Sequence, residues 1–312
     1  MSEYIPFKSV LQPSQLANLL REIVSGIQLP GNLAWPALRG VCNGRTPVTQ
    51  TLCFIDRTPS QDILEKLDQM VVLTTEGCFV GYSNEAILKL EDPRAVFIDL
   101  IRTLQQQKYF LPLTSLANQR PSIDARASIH PSAQIEDGVF IGAGTQIGSG
   151  CVIKAGTWIG EHVIVRENTV IGCDGIALHK AVDGRVLRFP HLAGVYLETE
   201  VELGASCVIP RGILTSTRIG RNSIIGNLCN IGHGSTIGEK VWMSVGTLIG
   251  GHSVIGAEAT IGMGGCVRDN LRVGRNASIG MGSVVAKDVP DDTSVFGNPA
   301  KHIPSLNAGP QR

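Results

Sequence analysis

The residue best placed for chemistry is a histidine flanked by glycines, in Asn227-Leu228-Cys229-Asn230-Ile231-Gly232-His233-Gly234. A neutral imidazole, with a free pKa of about 6.5, can take a proton from an attacking amine or hydroxyl. Such a base needs a partner for the charge that develops on the attacked carbonyl. A backbone N–H serves, and Gly250-Gly251 offers one with no side chain in the way. On the residues alone, a lone histidine in a β-solenoid is more often a surface or inter-chain packing residue. His252 lines the same cleft or is a solvated corner residue. His130, His162 and His302 read as surface positions, whereas His179 and His191 lie in or beside a polar insertion and can touch substrate. Zinc would need histidines from stacked coils with an open fourth position. The residue five after His233 is Gly238 and the next histidine is His252, so no metal is expected. Arg268, Arg272, Arg275, Lys287 and Lys301 gather towards the C-terminus, where they meet the phosphates of a coenzyme A or pantetheine donor or simply solvate an outer face.

What must position these groups is a repeat of six. Residues 123, 129, 135, 141, 147, 153, 159, 165 and 171 are all isoleucine or valine. The same phase resumes at Val195 and runs to Val285, interrupted only by the apolar Cys207 and Met243. Helices repeat apolar residues at 3.6 and ordinary strands at 2.0, so a period of six indicates a solenoid of short strands. Glycine often follows the aliphatic residue, as in Ile219-Gly220 and Ile231-Gly232, and is expected to relieve a turn that needs positive φ. Three faces per coil make 18 residues a turn and about eight coils, roughly 40 Å of stacked strands. The arithmetic places Gly251 above His233 and Thr215 below it. Between Ile171 and Val195 an insertion of 18 residues leaves the phase intact, and a loop leaving a rigid scaffold there is a common place for function.

Composition fits this architecture. The chain of 312 residues has 36 glycines, 43% hydrophobic residues and only 5% aromatic ones, so a narrow aliphatic interior is expected. Formal charge is zero and no basic run appears, which argues against nucleic acid or an anionic membrane as the main partner. The eight cysteines form no CxxC pair and read as cytosolic thiols. No signal peptide and no membrane span are expected, and the location inferred is cytoplasmic. Residues 1–119 lack the repeat and read as a small α/β domain, with strands at 48–55 and 70–74 and helices at 59–67 and 93–106. A linker near 118–121 leads to the repeat domain, 120–290 with a loop at 172–194, and residues 291–312 form a tail.

Several segments resemble a known family. Ile171-Gly172-Cys173-Asp174-Gly175, Phe189-Pro190, the segment 207–212 and Asn227 to His233 are similar to the UDP-3-O-acylglucosamine N-acyltransferases of lipid A synthesis. Phe54 and Asp92-Pro93-Arg94 fall at points resembling that family's uridine-binding domain. The resemblance implies a trimeric left-handed parallel β-helix with a small N-terminal α/β domain. It also implies His233 as general base and Gly251 as the source of the oxyanion-stabilising N–H. Asp174, Asn227, Asn230, His252, Phe54 and Arg57 are the expected substrate contacts. The family's uracil-contacting asparagine and tyrosine correspond to Arg57 and Ser60, its aspartate seven residues before the base to Gly226, and a second histidine to Asn270. Its C-terminal helices, which engage acyl carrier protein, have no counterpart. The C-terminus, with Gly280-Met281-Gly282-Ser283 and Gly297-Asn298-Pro299-Ala300-Lys301, is instead similar to sugar O- and N-acetyltransferases that use acetyl-coenzyme A. The resulting expectation is an N-acyltransferase moving an acyl group from coenzyme A or a carrier-protein thioester to a nucleotide-linked amino sugar, with no tightly bound cofactor. A sugar O-acyltransferase and a non-catalytic β-helix scaffold stay open.

Overall fold

The computed structural model describes residues 4–82, 84–111, 121–299 and 301–302. Residues 118–120 of the expected linker and half of the tail therefore lie outside the described residues. Contacts divide the chain into two compact units: one of residues 1–112 and 176–192, the other of residues 113–175 and 193–312.

The second unit is a left-handed parallel β-helix, the fold class the repeat and the resemblance predict. Its strands stack in three parallel faces of eight, ten and eight strands, with one antiparallel strand, Lys301–His302, at the end of the ten-stranded face. The first face holds Phe140–Ile141 and Thr157–Ile159, the second Gln146–Ile147 and Ile164–Val165, the third Val152–Ile153 and Val170–Ile171. Two residues of each hexad point inward, the aliphatic one and the one two before it. Thr145 with Ile147, Cys151 with Ile153 and Val163 with Val165 are all buried. The position two before is small because it sits near a corner, and at several coils its hydroxyl is satisfied by the next coil. Thr145 Oγ1 donates to Gly160 O at 2.8 Å and Ser235 Oγ to Gly250 O at 3.0 Å. On the outer side of the first face, Phe140, Trp158 and Tyr196 stack ring on ring, with centroids 5.3 and 5.0 Å apart.

Two expectations about the repeat need correction. Glycine directly after the aliphatic residue does not sit at positive φ except at Gly172, where the loop leaves; elsewhere the left-handed corner residue comes two positions later, as at Gly144, Gly150, Asn168 and His252. The glycine after the aliphatic is needed for close approach, since a Cβ at Gly142 would lie 2.6 Å from Gly160 O in the next coil. The phase also breaks. Ile159 pairs with Leu197, not with a residue in phase with Val195, and Leu197 pairs with Ile219. Twenty extra residues enter between Ile171 and Leu197 and four more between Ile209 and Ile219. Together they equal four hexads, so the regular phase returns at Ile219. In between, Val195, Val201 and Cys207 occupy the small inward position, which is why a count by sixes passes over the shift.

The first unit is a five-stranded sheet: β1 (Tyr4–Leu11), β2 (Leu38–Cys42), β3 (Thr51–Ile55), β4 (Met70–Thr74) and β5 (Ile87–Lys89), in that order. β1 is antiparallel to β2 and the other pairs are parallel. The helices are α1 (Pro13–Ile23), α2 (Gln61–Lys66) and α3 (Pro93–Gln106), and α3 starts where proline at a first-turn position predicts. Asp92 caps it by accepting the Ala95 N–H at 2.9 Å. Part of the inserted loop completes this unit. Its hairpin, Leu178–Lys180 with Val186–Arg188, offers His179 Nε2 to the Asp92 carboxylate at 2.8 Å. Arg185 pairs with Asp99 at 3.1 Å, and Phe189 joins Phe54 and Phe97 in a three-ring cluster.

Candidate active site

His233 sits at the edge where the third face turns into the first, two residues past the inward Ile231. Gly251 occupies the same place one coil on, because Ile231 pairs with Ile249. The imidazole packs against this glycine: a Cβ there would come within 2.7 Å of His233 Cε1 and 2.8 Å of Nε2. No residue other than glycine leaves the ring in place. The coil-to-coil ladder runs from Gly250 N–H to Val267 O and from His252 N–H to His233 O, stepping over the Gly251 N–H between them. That amide is the one expected from the sequence as the oxyanion donor.

The corner is cross-braced. His252, at φ +57°, leans back over Gly234, where a Cβ would meet its Nδ1 at 2.7 Å, and the two imidazoles meet edge to face with centroids 4.9 Å apart. Thr217 Oγ1 accepts the Gly234 N–H at 2.9 Å and donates to Pro210 O at 2.6 Å, tying the histidine corner to the coil beneath.

What lies beneath differs from expectation. The pairing of Val208 with Asn230 brings Arg211, not Thr215, to the place below His233, because four extra residues bulge out after Pro210. Arg211 is only 8% exposed. Its Nε donates to Gly172 O at 2.6 Å and lies 3.5 Å from the Asp174 carboxylate. Burial pulls its guanidinium below the ordinary arginine value, and the Asp174 and Glu136 charges only partly offset this. Both insertions leave the helix at the edge that carries His233, so Cys173, Asp174 and Arg211 line up below it. A buried arginine within a β-helix was the one local signal of this arrangement, and the unbroken count by sixes concealed it.

The other expected site residues are distributed as follows. Asp174 is exposed on the His233 edge, and His252 is part of the corner itself. Asn230 faces outward on the third face, between Val208 and Leu248. Asn227 lies at the opposite corner of that face, where its Oδ1 accepts the Ala205 N–H at 2.8 Å. Phe54 and Arg57 belong to the first unit. Phe54 is half-buried, with Phe97, Phe189 and the Arg94 guanidinium all within 6 Å of its ring centre. His179 is held by Asp92 and His191 is buried, so neither is offered as an exposed contact. Among the described residues no group of three histidine, cysteine or carboxylate side chains could hold a metal ion, and no helix is long and apolar enough to cross a membrane.

Residues 139–173 match the family model described as bacterial transferase hexapeptide, six repeats. A UDP-3-O-acylglucosamine N-acyltransferase of Maricaulis maris is 41% identical over 73 residues, 23% of this chain and 21% of the relative. The protein of that name from Helicobacter hepaticus is 35% identical over 68 residues, 22% and 21% of the two chains. Among solved structures, the UDP-N-acetylglucosamine acyltransferase of Francisella novicida is similar at 24% identity and a TM-score of 0.48, over 61% of this chain and 69% of that one. The chain thus carries hexapeptide-transferase repeats and is similar, over about a fifth of their length, to curated relatives named UDP-3-O-acylglucosamine N-acyltransferase.

Proposed function

We propose that this protein is an acyltransferase that moves an acyl group from a thioester to the amine of a nucleotide-linked amino sugar, in cell-surface glycan or lipid A type synthesis. The observation that carries the reading is the packing of the His233 ring on Gly251 beside an amide that the ladder steps over. The names of the matched relatives supply the reaction class and the acceptor. The donor is an acyl chain on coenzyme A or an acyl carrier protein. The protein works in the cytoplasm as a homotrimer, in which a neighbouring copy closes the open edge and shelters the pantetheine arm.

In this mechanism the neutral amine attacks the thioester carbonyl and His233 takes a proton from the nitrogen as the C–N bond forms. The Gly251 N–H donates to the oxyanion of the tetrahedral intermediate. Collapse breaks the C–S bond, and the imidazolium returns its proton to the departing thiolate. Asp174 and His252 orient the acceptor, and Asn227 and Asn230 contact substrate along the third face.

The test is product formation by mass spectrometry with acyl-coenzyme A and acyl carrier protein donors, using paired amino and hydroxyl acceptors. His233→Ala is expected to lower turnover at least about a hundredfold while leaving circular dichroism and oligomeric state unchanged. Near-normal turnover would remove His233 as the base. Acylation of the hydroxyl acceptor alone would reassign the reaction to O-acyl transfer.

A further inference from the structure

The inserted segment leaves the third face at Gly172, whose φ of +82° turns the chain outward. One residue of the next coil holds that departure. Arg211 donates its backbone N–H to Cys173 O at 2.9 Å and its Nε to Gly172 O at 2.6 Å, so it grips two successive carbonyls at once. The grip is buried. Next in the chain comes Asp174, an exposed residue whose Oδ1 lies 3.5 Å from Arg211 Nε. At that separation the guanidinium attracts the carboxylate through its charge and makes no short hydrogen bond to it. Among the described residues no N–H or O–H donates to either Asp174 oxygen. Lys154, another cation on this edge, is taken by Glu136, which also accepts the Ala155 N–H at 2.9 Å. The counter-charge of Asp174 is therefore Arg211.

We infer that Arg211 is a positioning residue: it clamps the departure of the inserted segment and holds Asp174 by charge below His233, leaving both carboxylate oxygens open to hydroxyl or ammonium donors of the acceptor. The inference rests on the proposed reading only for calling the ligand an acceptor. Lysine in place of Arg211 keeps the charge but lacks the planar fork that reaches Gly172 O, so it holds Asp174 only in part. Methionine occupies similar space and holds nothing.

The clamp is read without turnover, through the thiol that sits in it. Cys173 and Cys266, both on the β-helix, are each half-buried, so maleimide labelling followed by peptide mass spectrometry gives a test position and an internal control. Arg211→Met is expected to label Cys173 at least about tenfold faster than the wild type, with Arg211→Lys in between and Cys266 unchanged. Equal Cys173 rates in all three proteins would overturn the clamp. A Cys266 rate that rises in step with Cys173 would mean general loosening and overturn it as well. The link to Asp174 is read by a double-substitution cycle with Asp174→Asn, followed in kcat/KM for the acceptor. Each of Arg211→Met and Asp174→Asn should lower it about tenfold by misplacing the acceptor. The double variant should fall no further than the poorer single one, because Arg211 acts through Asp174. Losses that multiply to about a hundredfold in the double variant would make Arg211 an independent contributor and overturn the positioning role. A protein without acyl transfer whose Cys173 opens selectively in Arg211→Met would sink the acyl-transfer reading alone, whereas multiplying losses in an active one would sink this inference alone.

Discussion

The two units place their residues by different rules. In the β-helix, a residue's neighbours follow from its number: add 18 and the next coil's occupant is found, as for His233 and Gly251. In the α/β unit no such arithmetic exists. Asp92 meets His179 across 87 residues, and Phe54 meets Phe189 across more, because a hairpin inserted into the helix returns to complete the first unit. A periodic scaffold makes a site readable, and an assembled one hides it. The helix itself shows both regimes. Above the histidine coil the interval stays at 18 as far as Val285 and shortens to 16 in the last coil, whereas below it two insertions interrupt the count.

The sharpest way to break the comparison is Gly251→Val. If coil arithmetic governs the site, the new side chain displaces the imidazole, and turnover falls at least about a hundredfold without loss of fold. Unchanged kinetics would separate the stack from the chemistry. The assembled unit is probed by Phe189→Ala, which removes a nearly buried ring from the three-ring cluster. A loss of about 3 kcal/mol is expected from a large-to-small core change. Denaturant melts followed by hydrogen exchange should show the loss in the first unit and leave the helix amides protected.

Asp92→Asn is expected to cost about 1–2 kcal/mol, through a weakened cap and a lost carboxylate partner for His179. Its pH dependence sharpens the assignment. Burial raises the Asp92 pKa, but the Ala95 N–H, His179 and the Val182 N–H outweigh it, so the folded value lies below the ordinary one. The carboxylate therefore stabilises the fold above the unfolded pKa of about 3.9. That contribution disappears as pH falls through the lowered value. The wild type should lose more stability than Asp92→Asn between pH 5 and pH 2, by about 1 kcal/mol, and parallel curves would count against the clasp. The smallest effect is Leu228→Gly. Leu228 is exposed at φ +59°, a conformation unfavourable for a branched side chain. Relief of that strain should stabilise the helix by about 1 kcal/mol or less, measured by thermal melting. A destabilised variant would show that the left-handed corner carries no strain.

Much of the fold was legible because the larger of the two inward side chains of each hexad recurs every six residues as a β-branched aliphatic. The misreadings share a physical origin. Each hexad buries two residues, so Val195, Val201 and Cys207 looked like the large inward position although they hold the small one. Thr215 was therefore placed under His233, where the chain puts Arg211. Glycine after the aliphatic was credited with a turn, whereas it yields to the carbonyls of the next coil. The His233 and Gly251 stack was readable because no insertion falls between them. The clasp of Asp92 and His179 was not, since neither residue belongs to a period.

Both irregularities leave the helix at a single edge and rejoin it with the following strand in register. A corner is thus a socket: extra chain of any length can be plugged in there while the stack above grows undisturbed. Redesign for a different acceptor has a natural place to begin, by exchanging what is plugged in below His233 and leaving every hexad as it stands.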